Sequence, residues 1–294
     1  MRSAHRPRGF APYKPQAKTL AFIDQIKGVT AMYSFAITVR QVLYRLIATA
    51  GYGRMEKHYN NLCEVIGRAR RGGLIPMDAI RDDGFTQKVP SFYDDTDDFY
   101  ETVHQAAKKI RFDRQRGQRT RLAVWCEAAG MVPQLEMVAG DYGVPVLSSG
   151  GFDSITSKHA MAEDFARYDS VEVLHLGDYD PSGVHMFTSL AEDIRAFADD
   201  LGGDVAFTRL AVTPQQIEEL RLPTAPVKKT DRRSFDGNLT VQCEAIAPDT
   251  LSDILRSAIK TRMNLGIYQD VLDAEGEARE RATAELSEIG GRYA

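Results

Sequence analysis

Two carboxylates, Asp178 and Asp180, lie in the string Gly177-Asp178-Tyr179-Asp180-Pro181-Ser182-Gly183, directly after the apolar run 171–176. If that run is a strand, carboxylates at i and i+2 point the same way at its carboxyl end, where open α/β sheets bind their ligands. Glu127 follows a second apolar run, 122–126, and reaches the same edge. Three acids at one sheet edge repel one another unless a cation is bound, and an incompletely filled all-oxygen shell is what Mg²⁺ prefers. The spacing therefore predicts a hard-cation site at Glu127, Asp178 and Asp180. The same string also reads as an Asx turn closing a strand, because Asp-Pro and Ser-Gly are frequent turn formers. His159, His175 and His185 surround these elements without paired zinc spacing, so packing or phosphate contact suits them better than ligation.

A second pair of reactive types lies far upstream. Residues 36–50 place Val39, Val42, Leu43, Leu46, Ile47 and Ala50 on one helical stripe, stopped by Gly51. At ~100° per residue, Tyr44 falls ~130° from the centre of that stripe and Arg40 only ~40° from Tyr44. The phenol is thus off the core face, one turn from a guanidinium. A free phenol titrates near about 10, so as a nucleophile it needs adjacent positive charge or a base. Off the core face it is equally suited to stacking on a base or to the plain surface.

The elements that must position these groups fall into two kinds. Residues 56–71 form a second amphipathic helix ending in Arg68, Arg70 and Arg71 before Gly72-Gly73, followed by an extended segment at 74–77. Two short helices and an extended strip read as a helix-turn-helix with a wing. The arginine cluster suits DNA phosphates, although cations also complement a helix C-terminus. Residues 91–120 read as a helical linker, opening on Asp94, Asp95, Asp97 and Asp98 and closing on a basic run. Thereafter apolar runs at 122–126, 144–148, 171–176 and 205–212 alternate with helical patterns at 131–142, 153–168 and 184–201. That rhythm predicts a parallel, doubly wound α/β sheet. Lys228 and Lys229 open a second basic run, residues 239–243 read as a last strand, and Leu251, Ile254, Leu255, Ala258 and Ile259 share a helix face. The expected division is a basic helical domain at 1–90, the linker at 91–120, the α/β domain at 121–235, and a strand with a helical extension at 236–294.

Charge divides along the same line. Of 37 Lys+Arg and 41 Asp+Glu, residues 1–90 hold 15 and 6, a balance of +9, which leaves 22 and 35, or −13, for the rest. Such asymmetry marks a polyanion-binding module joined to a part that repels nucleic acid or holds cations. No apolar run approaches the ~18 residues of a membrane span, and the basic N-terminal string lacks the apolar core of a secretory signal. Cys63, Cys126 and Cys243 are scattered without metal or disulfide spacing, which suits a reducing, cytosolic setting.

Glu127 after one strand and Asp178-x-Asp180 after a later one resemble the Toprim signature of topoisomerases, primases and certain nucleases. The string Thr38-Val39-Arg40-Gln41-Val42-Leu43-Tyr44 resembles the catalytic-tyrosine motif of type IIB topoisomerase A subunits, with Gln41 in place of an acidic residue and Leu43 in place of an aromatic one. Further strings, 210–214, 226–231 and 243–248, are similar to short A-subunit-like proteins of phages and plasmids, the Mini-A group. The resemblance spans roughly residues 36–258. It implies a tyrosine-bearing winged-helix domain followed by a Rossmann-like Toprim domain. It further implies a homodimer that makes paired cuts in double-stranded DNA with Mg²⁺ or Mn²⁺, each tyrosine meeting the metal site of the opposite subunit. Carried onto this sequence, Tyr44 is the nucleophile forming a 5′-phosphotyrosyl link and Arg40 the phosphate clamp. Asp178 and Asp180 are the metal ligands, with Glu127 a further ligand or an acid/base toward the 3′-oxygen. Arg68, Arg70, Arg71, Lys228 and Lys229 are the expected DNA contacts. No glycine-rich ATP-binding motif accompanies them, so ATP-driven strand passage would fall to a separate B-type ATPase partner. Two other classes fit the same residues: a Toprim nuclease that uses water, and a non-catalytic DNA-binding or recombination protein.

Overall fold

The computed structural model describes residues 10–81, 90, 92–148, 155–227, 235 and 237–290. In the N-terminal part, α1 (Ala17–Thr30) buries Ile23, Ile26 and Val29 at helical spacing. A two-residue strand, β1 (Ile37–Thr38), leads into α2 (Val39–Ala50). The helix begins three residues later than the apolar pattern implied, because Thr38 caps it. Its hydroxyl accepts from the Gln41 N–H, and the Gln41 side chain accepts in return from the Thr38 N–H. Gly51, at φ 63°, ends α2 in the left-handed conformation a β-carbon disfavours. Next come α3 (Glu56–Arg71) and β2 (Ile80–Arg81), which pairs in parallel with β1. These helices enclose a core of their own that includes Ile26, Val42, Leu46, Leu62 and Ile66. The segment 74–77 anticipated as a wing forms no strand and runs into a 3₁₀ helix at Met77–Ala79, while the basic string 1–9 lies outside the described residues.

The linker contains α4 (Thr96–Ala107), capped by Asp95, whose carboxylate accepts from the Asp98 N–H. The acidic opening of this stretch thus sits where a helix N-terminus favours negative charge. Two arginines of the basic run that follows are held by internal pairs. Arg121 forks onto Asp113 at 2.6 and 2.9 Å, and Arg114 binds the fully buried Glu275 at 2.8 and 3.0 Å.

The second part is a mixed α/β unit around a four-stranded parallel sheet. Its elements run β3 (Arg121–Cys126), α5 (Val132–Ala139), β4 (Val146–Ser148), α6 (Ile155–Phe165), β5 (Val171–Leu176), α7 (Pro181–Asp200), β6 (Val205–Ala211) and α8 (Pro214–Glu219). A short antiparallel pair, β7 (Ala225–Pro226) and β8 (Leu239–Thr240), precedes α9 (Pro248–Arg262) and α10 (Leu265–Gly290). The strand order is β4-β3-β5-β6. The strands are mostly apolar because both faces are covered, with Glu172, His175, Thr208 and Arg209 as polar residues within β5 and β6. Leu122, Val124, Leu174 and Leu176 pack against α5 and α9, whereas Ala123, Trp125 and Val173 pack against α6 and α7.

Two expectations are revised. The segment anticipated as a final strand, 239–243, contributes only two residues to a strand, and these pair with β7 outside the main sheet. Val241 makes a single bridge to Tyr179, and Cys243–Ala245 turn into a 3₁₀ helix. The helix expected as an extension, α9, instead completes the sheet's own core through Leu251, Leu255 and Ile259. Among the described residues, no helix is long and apolar enough to cross a membrane.

Candidate active site

The sheet order reverses between β3 and β5, the point at which an open α/β sheet leaves a crevice beyond its carboxyl ends. Glu127 follows β3 and Asp178 follows β5, so both expected acids flank that crevice. The turn after β5 is shaped to receive Glu127. The Asp178 N–H donates to Glu127 Oε2 at 3.0 Å. A β-carbon on Gly177 would come within 2.7 Å of the same oxygen, and one on Gly183 within 2.9 Å of it and 2.6 Å of the Asp178 carbonyl. The two glycines bracketing the motif therefore make room for a carboxylate reaching in from the neighbouring strand. Asp180 caps α7, accepting from the Gly183 N–H at 2.7 Å, and Pro181 opens the helix. The Asx-turn reading thus holds for Asp180 alongside any ligand role.

Asp178 is fixed from the far side of the chain. The bridge between Tyr179 and Val241 brings the 241–245 segment alongside the turn, and the Cys243 N–H donates to Asp178 Oδ1 at 2.8 Å. Glu127, Asp178 and Asp180 each commit one oxygen to a backbone N–H. Glu127 Oε1, Asp178 Oδ2 and Asp180 Oδ2 have no hydrogen-bond donor among the described residues. Burial and then the charge of Asp178 push Glu127 up to about 7. Asp178 is raised as well, by burial first, with Asp180 adding to it and the Cys243 N–H opposing. A hard divalent cation fits this donor set in type, in spare oxygens and in charge. As the side chains stand, no group of three acidic, histidine or cysteine side chains among the described residues converges on one point.

Tyr44 and Arg40 meet the same segment. The Tyr44 hydroxyl donates to Gln242 Oε1 at 2.5 Å, and its ring packs on the core of the sheet, not on that of its own helices. Arg40, 51% exposed, lies 3.6 Å from Glu244, which is only 7% exposed and also accepts from the Thr38 hydroxyl at 3.3 Å. Burial, reinforced by Glu244 and Asp178, pushes the Tyr44 phenol up to about 12, while Arg40 and Arg54 act in the opposite direction. Residues 241–244 therefore join the tyrosine helix to the acidic turn. Within its own chain Tyr44 is near enough to the acidic turn for the charge of Asp178 to add to the rise of its pKa.

Gln242, Glu244 and Arg209 were not anticipated. Glu244 had a signal, an acid inside the apolar string Val241-Gln242-Cys243-Glu244-Ala245-Ile246, which argues for a buried, partnered carboxylate. Arg209 lies behind the acidic turn, its guanidinium donating to the Gly177 and Asp178 carbonyls and to Val212 at 3.0 Å. His175 is buried between Trp125 and Phe187, and burial and Arg209 bring it down to about 3, a packing role.

The expected DNA contacts are distributed unevenly. Arg68 is exposed and pairs with Glu64 at 2.6 Å, whereas Arg70 ties the end of α3 to the Met77 carbonyl at 2.6 Å. Arg71 closes the same helix, and its main-chain carbonyl accepts from the Ala11 N–H. Lys228 and Lys229 lie outside the described residues. No protein-family model matches the sequence, and no curated protein matches it.

Proposed function

We propose that the protein cleaves DNA by Mg²⁺-dependent tyrosine transesterification, in the manner of a type IIB topoisomerase A subunit with winged-helix and Toprim domains. The observation that carries this reading is that the 241–244 segment contacts Tyr44 and Arg40 of α2 on one side and Asp178, whose N–H holds Glu127, on the other. In the step envisaged, Tyr44 Oη bonds to phosphorus as the bond to the 3′-oxygen breaks. The phenolic proton leaves to water, and the 3′-oxygen takes up a proton. The number of phosphoester bonds is conserved. Arg40, half-exposed and one turn from Tyr44, holds the phosphate, and Glu127 exchanges a proton with the 3′-oxygen. A divalent cation held by Glu127, Asp178 and Asp180 would supply charge stabilisation at the phosphate and relieve the mutual repulsion of the acids. Two copies acting on opposite strands would give paired cuts, and coupling to ATP would need a separate ATPase partner.

A second reading has its own support. The Tyr44 hydroxyl is engaged with an amide oxygen, which is no base, and its pKa is pushed up to about 12. A nuclease that used water at the same acids would have no need of the phenol. Supercoiled DNA incubated with the protein and Mg²⁺, with and without subsequent protease digestion, separates these readings. Protein-linked linear DNA is expected. Cuts without linked protein would favour the water mechanism, and intact plasmid would leave a DNA-binding role alone.

A further inference from the structure

We propose that Arg209 is a positioning residue for the divalent cation: its guanidinium fixes the main chain that carries Asp178 and receives Glu127, and cation affinity depends on that hold. This inference rests on the hard-cation reading of Glu127, Asp178 and Asp180. It needs neither the tyrosine nor a second subunit.

Arg209 lies in β6, opposite His175 of β5, and the ladder then slips by one residue so that Leu176 pairs with Ala211. Beyond the slip the end of β6 lies against the acidic turn. The Gly177 N–H donates to the Ala211 carbonyl at 2.8 Å, and the Val212 N–H to the Gly177 carbonyl at 2.9 Å. The guanidinium closes the same join. Its Nε donates to the Val212 carbonyl at 3.0 Å, and its Nη2 to the carbonyls of Gly177, at 3.1 Å, and Asp178. Two nitrogens of one rigid fork thus tie three carbonyls from two chain segments. Asp178 is thereby held at three atoms: its carbonyl by Arg209, its Oδ1 by the Cys243 N–H, and its own N–H by Glu127.

Neither packing nor charge accounts for an arginine here. Its Nη1 is buried and has no hydrogen-bond partner among the described residues, a standing cost in a strand covered on both faces. Burial also lowers the pKa of Arg209 against the pull of its negative neighbours, so the charge is held at a disadvantage. A methionine would fill the space beside the Phe187 ring, whose centroid is 5.9 Å from the guanidinium carbon, without either cost. A fixed positive charge behind the acids repels an incoming cation, so the field of Arg209 alone works against metal binding. What the side chain supplies is geometry. It holds the ligand-bearing turn in one shape, as groups behind metal ligands commonly do.

The test titrates the full chain, without DNA, with Mn²⁺ and reads the free ion by electron paramagnetic resonance, with folding checked by circular dichroism. Arg209→Met keeps the packing and removes the fork, and its Mn²⁺ affinity is expected to fall about 10- to 100-fold. Arg209→Lys keeps the charge but has a single nitrogen, which cannot serve Val212 and the turn together, so its affinity is expected to fall as well, by less. A folded Arg209→Met protein with unchanged affinity would overturn the proposal in favour of packing. Tighter binding would overturn it in favour of charge alone. Should Arg209→Met not fold, the lysine variant decides: weaker binding supports the proposal and wild-type binding overturns it. A wild-type protein that binds no Mn²⁺ would remove the cation reading itself, an outcome visible before any variant is made.

Discussion

The acids of the crevice store electrostatic tension whose sign can be worked out. Glu127 has a folded pKa of about 7 against an unfolded value near 4.5, so the folded chain holds its proton longer than the unfolded chain does. The stability contributed by Glu127 is therefore fully present below about pH 4.5 and is lost as pH rises through about 7. Glu127→Gln should raise the melting temperature at pH 8 without divalent cation and leave it unchanged near pH 4. A pH-independent difference between the two proteins would contradict this origin of the shift. Tyr44 carries the converse burden, because the negative charge of Glu244 opposes its ionisation. Glu244→Gln should move the Tyr44 midpoint down from about 12, followed by the NMR shift of ¹³Cζ-labelled tyrosine and assigned with Tyr44→Phe. An unmoved midpoint would mean that burial and Asp178 set it without Glu244. At this scale much was legible in the sequence. Glu127 follows the apolar run 122–126 and Asp178 the mostly apolar run 171–176, so their position at the sheet edge could be read directly. Tyr44 could be placed off its helix's apolar stripe. What it faces instead could not, because a single helical stripe says nothing of a second core packed on the other side.

Elements meet here through polar contacts, which apolar patterns do not reveal. α2 buries Gln41 and half-buries Tyr44 against the α/β unit, while Val42 and Leu46 face the helical core. One helix thus serves two cores, and only the apolar one left a periodic trace. Gln41→Ala would leave Gln134 Oε1 and the Thr38 N–H without partners, a loss of about 1 to 3 kcal/mol read from urea unfolding. Gln41→Glu should fall between, since it still accepts from Thr38 but cannot donate to Gln134. Equal losses for the two variants would show that the contact with Gln134 contributes little. The 239–243 segment was misread for a related reason. Its alternating pattern suits a strand, but Cys243 spends its N–H on Asp178 Oδ1, and the chain turns away from the ladder. The parallel order and the α/β alternation were legible because strands covered on both faces are mostly apolar along their length.

Across the whole molecule, residues 1–90 carry a balance of +9 and the rest −13, the division that the proposed DNA-cleaving reading would use. DNA binding should weaken steeply with salt. Arg68→Ala should lower the log–log slope by about one if that exposed side chain reaches a phosphate. An unchanged slope would assign Arg68 to its pair with Glu64 alone. The central claim is that a phenol, not water, attacks the DNA. It is tested most directly by trapping the reaction on internally ³²P-labelled DNA with Mg²⁺, digesting with nuclease and trypsin, and locating the label by mass spectrometry. The account predicts a phosphonucleotide on the peptide that contains Tyr44. DNA cut in the presence of Mg²⁺ with no label on protein, or with the label on another residue, would contradict it.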